Sequence, residues 1–371
     1  MPKKLASHIA KKRQQSVPAE FPTPFLARSL HRQQFSCIGD AHVEGNVSVA
    51  TVMVVGGDLL VDGDLEAEEI FCLGKLTVSG QIRAQSLYVG DALDAGGDIE
   101  VEFLLKTACS AEWMARMLEL ESDQAASEKA PASFLDKLVH PLILQRKLTQ
   151  NSSGNFARSG SIHGLGSLQC DVLDCHGDVQ LDHDLDAYEV LYVGGHLSAD
   201  AVHVQGDCHV KGELMSAGDI TITGTGFAGE VMCQGNLLVG SICSQADISA
   251  WGLIRADGEI SSLQGEIASG RWIATKATIY AAKYIKAAEA IVAEKGLSCG
   301  DHYGILAATN LRRSRWKREG FVGAPAMPAH LLSGVYSLTK KRRHLDALEK
   351  KREVELDWEV ERRLKGQIEA I

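Results

Sequence analysis

The chain has 371 residues with a formal net charge of −10, 45% hydrophobic content and only 6% aromatic residues. That is long enough for two ordinary domains or one elongated repeat domain. With no apolar run of about eighteen residues and no charged-then-apolar leader, the expectation is a soluble cytoplasmic protein.

Charge is divided along the chain. Residues 1–35 hold seven Lys and Arg against one acid and residues 304–371 hold fifteen against nine, so two ends of +6 leave −22 to residues 36–303. Basic ends and an acidic centre allow attraction between parts of one chain or between copies.

Residues 1–35 contain four prolines and no sustained period, and are expected to form a flexible basic arm. Its Lys3, Lys4, Lys11, Lys12 and Arg13 flank Leu5 and Ile9. That arrangement offers a weak contact with an anionic membrane, so a peripheral position at its inner face is compatible with the cytoplasmic expectation.

From residue 36 a short rhythm begins. Its clearest copy is Gly206–Gly224, GDCHVKGELMSAGDITITG, three six-residue units that each open on glycine and then alternate apolar or small residues with polar ones. Alternation of period two reads as a strand with one buried face, and the glycine as a corner where a side chain would obstruct the turn or need an unfavourable φ. Three strands and three corners make one coil of a β-solenoid of about 17–18 residues. In residues 36–104 the inward set Leu59, Val61, Leu65, Ala67, Ile70 and Cys72 recurs seventeen residues on as Leu76, Val78, Ile82, Ala84, Leu87 and Val89. A further seventeen gives Leu93, Ala95, Ile99, Val101 and Leu104, and eighteen back gives Ala41, Val43, Val47, Val49, Val52 and Val54.

Residues 105–160 break the rhythm. Leu105, Trp113, Met114, Met117 and Leu118, and then Phe134, Leu135, Leu138, Leu142 and Leu144, have helical spacing and predict a helical insertion covering an end or a flank of the first block, followed by a linker. A second block, 161–303, tightens into a hexad in which Ile242, Ile248, Ile254 and Ile260 are followed after one extra residue by Ile267, Ile273, Ile279, Ile285, Ile291 and Leu297. Two residues after most of these stands Ala, Ser or Thr. Residues 304–371 read as a basic linker, with five basic residues around Trp316 and with Pro325 and Pro328, leading from Ser337 into a long charged helix. The fold class is therefore mainly β, a single-stranded β-solenoid interrupted by a helical insertion and followed by a C-terminal helix.

Chemical motifs are few. Cys170 and Cys175-His176 have the residue types of a zinc site, but both cysteines occupy inward columns matched by Ala187 and Tyr192, which favours core packing. The nine cysteines have odd spacings and read as reduced core thiols. His176, His183, His196, His203 and His209 follow no fixed column. The aspartates of the Gly-Asp pairs need only bond nearby backbone. No catalytic, cofactor-binding or metal-binding residue is assigned, and no cofactor is expected.

The tandem GDLLVDGDLEAEEIFCLGKLTVSGQIRAQSLYVG resembles the bactofilins, bacterial polymer-forming cytoskeletal proteins, and is similar to the β-helical part of flagellar assembly protein A. The resemblance spans residues 36–104 and 161–300. It implies a β-helix, non-enzymatic self-assembly and a cytoplasmic or membrane-associated site. Two blocks, an insertion and a helical tail depart from the bactofilin pattern. The expected function is a non-enzymatic scaffold whose partner is itself, as homo-oligomer or polymer. The alternative is an acidic solenoid that binds a basic protein, such as a toxin-neutralising immunity protein. A hexapeptide-repeat acyltransferase ranks behind both, because the small inward residue here follows the large one and no histidine stands out as a base. The acidic centre weighs against a nucleic-acid partner.

Overall fold

The computed structural model describes residues 24–111, 113–114, 160–308 and 320–338. The chain divides into two compact units, Met1–Met215 and Ser216–Ile371. Each is a parallel β-solenoid with three strands to the coil.

In the first unit the short strands Ala41–Val43, Leu59–Val61, Leu76–Val78 and Leu93–Ala95 stack in parallel register, so that Leu59, Leu76 and Leu93 form one inward column. A second side carries Val47, Leu65, Ile82 and Ile99, and a third carries Met53, Ile70 and Leu87. These residues are at most 2% exposed. Burying a large aliphatic side chain contributes about 1.5–3 kcal/mol, and a stack repeats that gain coil after coil.

The inward set differs from the uniform step at two places. The register shifts between Val49 and Val52, so Met53 and Val55, rather than Val52 and Val54, continue the columns of Ile70 and Cys72. A like shift between Val101 and Leu104 makes Leu105, rather than Leu104, the partner of Leu87. One extra residue at a bend reverses which face every later side chain takes, and composition alone does not mark it.

The rhythm also begins earlier than residue 36. Phe25–Ala27 and Leu30–Arg32 pair with Ala41–Val43 and Val47–Val55, within the stretch read as a flexible arm. Leu30 and Phe35 are each 4% exposed, and the Phe25 and Phe35 rings lie 5.0 Å apart. These residues are five apart, which hides the coil from a search at six.

Residues on either side of the insertion belong to consecutive coils. Leu93–Ala95 pairs with Ile162–Gly164, and Ile99–Lys106 with Leu168–Cys175, so the segment between them leaves and rejoins one stack. Leu105, read as the start of a helix, is inward strand. A helical turn does start at Ser110, whose hydroxyl accepts the Trp113 N–H at 3.0 Å while its carbonyl accepts the Met114 N–H at 3.0 Å. Cys109, Trp113 and Met114 pack on the outward residues Val54, Phe71 and Tyr88, a flank of the coil. Phe71 and Tyr88 stack at 4.7 Å and Tyr88 meets Trp113 at 5.4 Å. The rest of the helical insertion, and residues 1–23, lie outside the described residues.

The second unit carries the hexad as three columns: Leu237, Ile254, Ile273, Ile291 and Val322; Ile242, Ile260, Ile279 and Leu297; and Ile248, Ile267, Ile285 and Ile305. Beyond residue 303 the solenoid continues where a linker was expected, in Ile305–Ala307, Phe321–Ala324, Leu331–Ser333 and Val335–Leu338. Val322 and Ala324 alternate inward, and Pro325 and Pro328 occupy the following corner, where a missing N–H costs no ladder bond. Ser337 and Leu338, read as the start of the long helix, close the last strand. The remainder of that helix lies outside the described residues.

The Gly-Asp pairs have a specific use. Asp40 Oδ1 accepts the Asp58 N–H at 2.9 Å, and Asp58 Oδ1 accepts the Lys75 N–H at 2.8 Å. Asn46, Asp64, Asp98, Asp178, Asp219 and Asp247 make the same bond to the coil above, at 2.6–3.0 Å. Each carboxylate or amide thereby satisfies a corner N–H that no strand reaches. The glycine of the next coil passes over that oxygen. At Gly57 an added Cβ would fall on Asp40 Oδ1 and meet the Asp40 nitrogen at 2.8 Å. Positive φ is confined, among described glycines, to Gly160 and Gly334, so close approach and not backbone conformation is what these corners require.

Candidate interaction surfaces

The cysteines and hydroxyls at the ends of strands complete the corners. Cys72 Sγ lies 3.4 Å from the Gly57 carbonyl and 3.5 Å from that of Lys75, and Cys233 Sγ lies 3.1 and 3.3 Å from those of Gly218 and Asn236. Ser244 and Ser269 donate to the matching carbonyls at 3.0 and 2.8 Å. The small residue after each isoleucine is thus frequently a donor for a corner carbonyl, a role the alternation alone did not reveal.

Cys170 and Cys175 both point inward and stack on Ala187 and Val193; Tyr192, expected beneath Cys175, instead faces outward on Asp174 because the register shifts after Cys170. Cys175 Sγ donates to the Gly160 carbonyl at 3.0 Å. Burial pushes the Cys170 and Cys208 thiols up to about 12 and those of Cys175 and Cys233 up to about 11. All nine cysteines are free, with Cys243 and Cys299 half-buried and the others buried. A thiol reagent applied to the native protein near pH 8 should therefore modify at most Cys243 and Cys299 rapidly, as read by peptide mass mapping. Rapid loss of Cys170 or Cys208 would contradict their inward placement.

The five histidines do not converge on one centre. His196 replaces aspartate in the corner ladder, with Nδ1 accepting the Glu213 N–H at 3.1 Å. His183 faces Asp200 at 3.8 Å, and His203 stacks outward on Asp186. His176 and His209 flank Tyr192, at ring separations of 6.0 and 5.4 Å, with Lys211 5.6 Å from the same ring. Lys106 pairs with Asp174, and Asp174 also lies 3.6 Å from His176. Desolvation, then Lys106 and Lys211, lower the His176 pKa, so it is held neutral further into the acid range than a free imidazole. Tyr192 as the hub of this patch was missed, since only the register shows that Lys106, Asp174, Tyr192 and His209 share an outward column. Among the described residues no three His, Cys, Asp or Glu side chains are grouped to hold a metal.

A shallow trough crosses the second side of the first unit. Glu66, Arg83 and Glu100 follow one another outward in register, and Glu68, Glu102, Asp171 and Tyr188 line the trough beside them. Arg83 Nε bonds Glu100 at 2.9 Å, one cation set against several carboxylates. Phe103 and Val190 are 48% and 44% exposed on the same unit. The trough presents mainly carboxylates to solvent.

No protein-family model matches the chain, and no curated protein or solved structure matches it. Among the described residues no helix is long and apolar enough to cross a membrane. The β-solenoid architecture therefore rests on the register itself.

Proposed function

We propose that the protein is a non-enzymatic, bactofilin-like scaffold that self-associates in the cytoplasm through open coil edges. One observation carries this reading. Among the described residues the last strands of the second unit, Leu331–Ser333 and Val335–Leu338, pair on one edge only, and Leu332 and Leu338 are 64% and 39% exposed beside that edge. Such an edge presents a row of backbone donors and acceptors to any strand of matching register. In the first unit Phe25–Ala27 and Leu30–Arg32 pair with the following coil, and Leu26 is 69% exposed.

Lysine on an edge opposes pairing by charge and by the cost of desolvating it. The double variant Leu332→Lys, Leu338→Lys should keep the far-ultraviolet circular dichroism of the parent and shift sedimentation toward the monomer at equal concentration. Electron microscopy should show assemblies for the parent and few for the variant. Assembly that is indifferent to these substitutions, or a parent that stays monomeric at every concentration, would remove the edge from the mechanism.

The acidic trough favours a second reading, a solenoid that captures a basic protein. Discrete particles that recruit a basic partner, with binding weakened by salt and by Glu66→Lys and Glu100→Lys, would put that reading first.

A further inference from the structure

On the third side of the first unit an imidazole and an ammonium lean toward one tyrosine ring from the coils on either side of it. His176, Gly194 and Lys211 stack in one column, because Cys175, Val193 and Val210 just before them are in parallel register. Gly194 passes so close over the coil beneath that an added Cβ would fall 2.3 Å from the His176 carbonyl oxygen. The middle coil therefore brings no side chain to this column, and His176 and Lys211, two coil spacings or about 10 Å apart along the stack, frame a notch. Tyr192 forms its wall. The His176 ring lies 6.0 Å from the Tyr192 ring and the Lys211 ammonium 5.6 Å from it, while His209 stacks on the same ring at 5.4 Å.

The notch is positive in a unit that is otherwise acidic. Among the described residues up to Met215 there are six Lys and Arg against twenty-three Asp and Glu, and two of those six, Lys106 and Lys211, both act on His176. The carboxylates of this side leave that field in place. Asp174, 3.6 Å from His176, is paired by Lys106; Asp178 accepts the His196 N–H at 2.8 Å; and Asp207 stands in the neighbouring column, on Val190. An anion relieves such an arrangement, because a negative charge between His176 and Lys211 draws on both and favours the imidazolium. A tetrahedral dianion has enough oxygens to accept from an ammonium and an imidazole at once.

We propose that this notch binds a tetrahedral oxyanion, either an inorganic anion or the phosphoryl group of a small organic phosphate, held by Lys211 and His176 against Tyr192. Val190 is 44% exposed and stands two residues from Tyr192 on the same outward face, where it offers an apolar seat to the body of an organic phosphate. Lys106 neutralises Asp174, the carboxylate beside His176 that would otherwise repel the ligand. The site lies on an outer face and does not depend on open coil edges.

The test follows the His176 ring C–H resonance of the full chain across pH, assigned by its loss in His176→Gln, with sulfate as the probe because it stays doubly charged across the histidine range. Saturating sulfate, compared with chloride at equal ionic strength, should raise the His176 pKa by about one unit, and reciprocity then requires sulfate to bind about tenfold tighter to the protonated form. His183 and His203, which lie outside the notch, should not move. Lys211→Met should remove the response and keep the circular dichroism of the parent, since Lys211 is exposed. Should that variant disturb the spectrum, Lys211→Gln decides by the same readout. Lys75→Met, which removes a cation paired with Asp94 on another side, should leave the response intact. An unmoved His176, an equal movement of His183, or a response that survives loss of the Lys211 charge overturns the site. Calorimetric titration with inorganic phosphate and with phenyl phosphate separates the two sources. Equal affinity supports a free anion, tighter binding of phenyl phosphate supports an organic phosphate seated on Val190, and binding of neither overturns the proposal.

Discussion

Ile220→Asp is expected to destabilise the second unit by about 4 kcal/mol or more, while Thr221→Asp, one residue along, stays within about 1 kcal/mol of the parent. Ile220 is 0% exposed and stacks inward on Leu237, whereas Thr221 faces outward and is half-buried. A carboxylate at the first position would sit in an aliphatic column, stacked on Leu237. Protonation of such a group recovers only part of the cost because the neutral acid still lacks a partner. Thermal unfolding followed by circular dichroism compares the two variants. Equal midpoints would mean that the alternation of faces at this strand is assigned one residue out of step.

Gly195→Val should cost about 3 kcal/mol or more, and here the cause is the ladder. An added Cβ would fall on Asp178 Oδ1, the atom that accepts the His196 N–H at 2.8 Å, and would meet the Gly177 carbonyl carbon and oxygen at 2.9 Å each. Gly296 supplies the control, since its added Cβ would approach only Thr278 Cγ2, at 3.3 Å. Gly296→Ala is therefore expected to be nearly neutral. Combining Gly195→Ala with Asp178→Ala should recover part of the loss of Gly195→Ala alone, because the side-chain oxygen leaves and the carbonyl stays. Full additivity of the two changes would show that the carboxylate does not sit over the glycine.

Both experiments probe one arrangement, in which each coil's corner is shaped by the coil before it. That arrangement also bears on function. A stack whose corners and strands bond to their neighbours is satisfied in its interior, so self-association and partner capture are questions about its edges and outer faces. The trough of Glu66, Glu68, Glu100 and Glu102, the strands ending at Leu338 and the buried outward cluster around Val292 are places where the two units depart from plain repetition.

Much of the fold was legible in the residues. The columns of Leu59, Leu76 and Leu93, and of Ile248, Ile267 and Ile285, are present as periods because an inward position tolerates only apolar or small groups in a narrow tube. The Gly-Asp pairs were visible as well, since a ladder that repeats in space repeats in sequence. Three features needed the tertiary structure. The extra residues near Val49 and Val101 shift which face is buried, and a bulge carries no mark in composition. The coils at Phe25–Ala27 and Phe321–Ala324 depart from the six-residue step, and their pairing partners are set by distance in space. The outward groupings around Tyr192 and Val292 join residues that are neighbours only because one coil lies on the next. Sequence alone determined the inward columns wherever the coil step is regular, because burial filters residue type at every turn. Tertiary structure decided how the outer surface is assembled, because polar, aromatic and small residues are all permitted there and only stacking determines which of them meet.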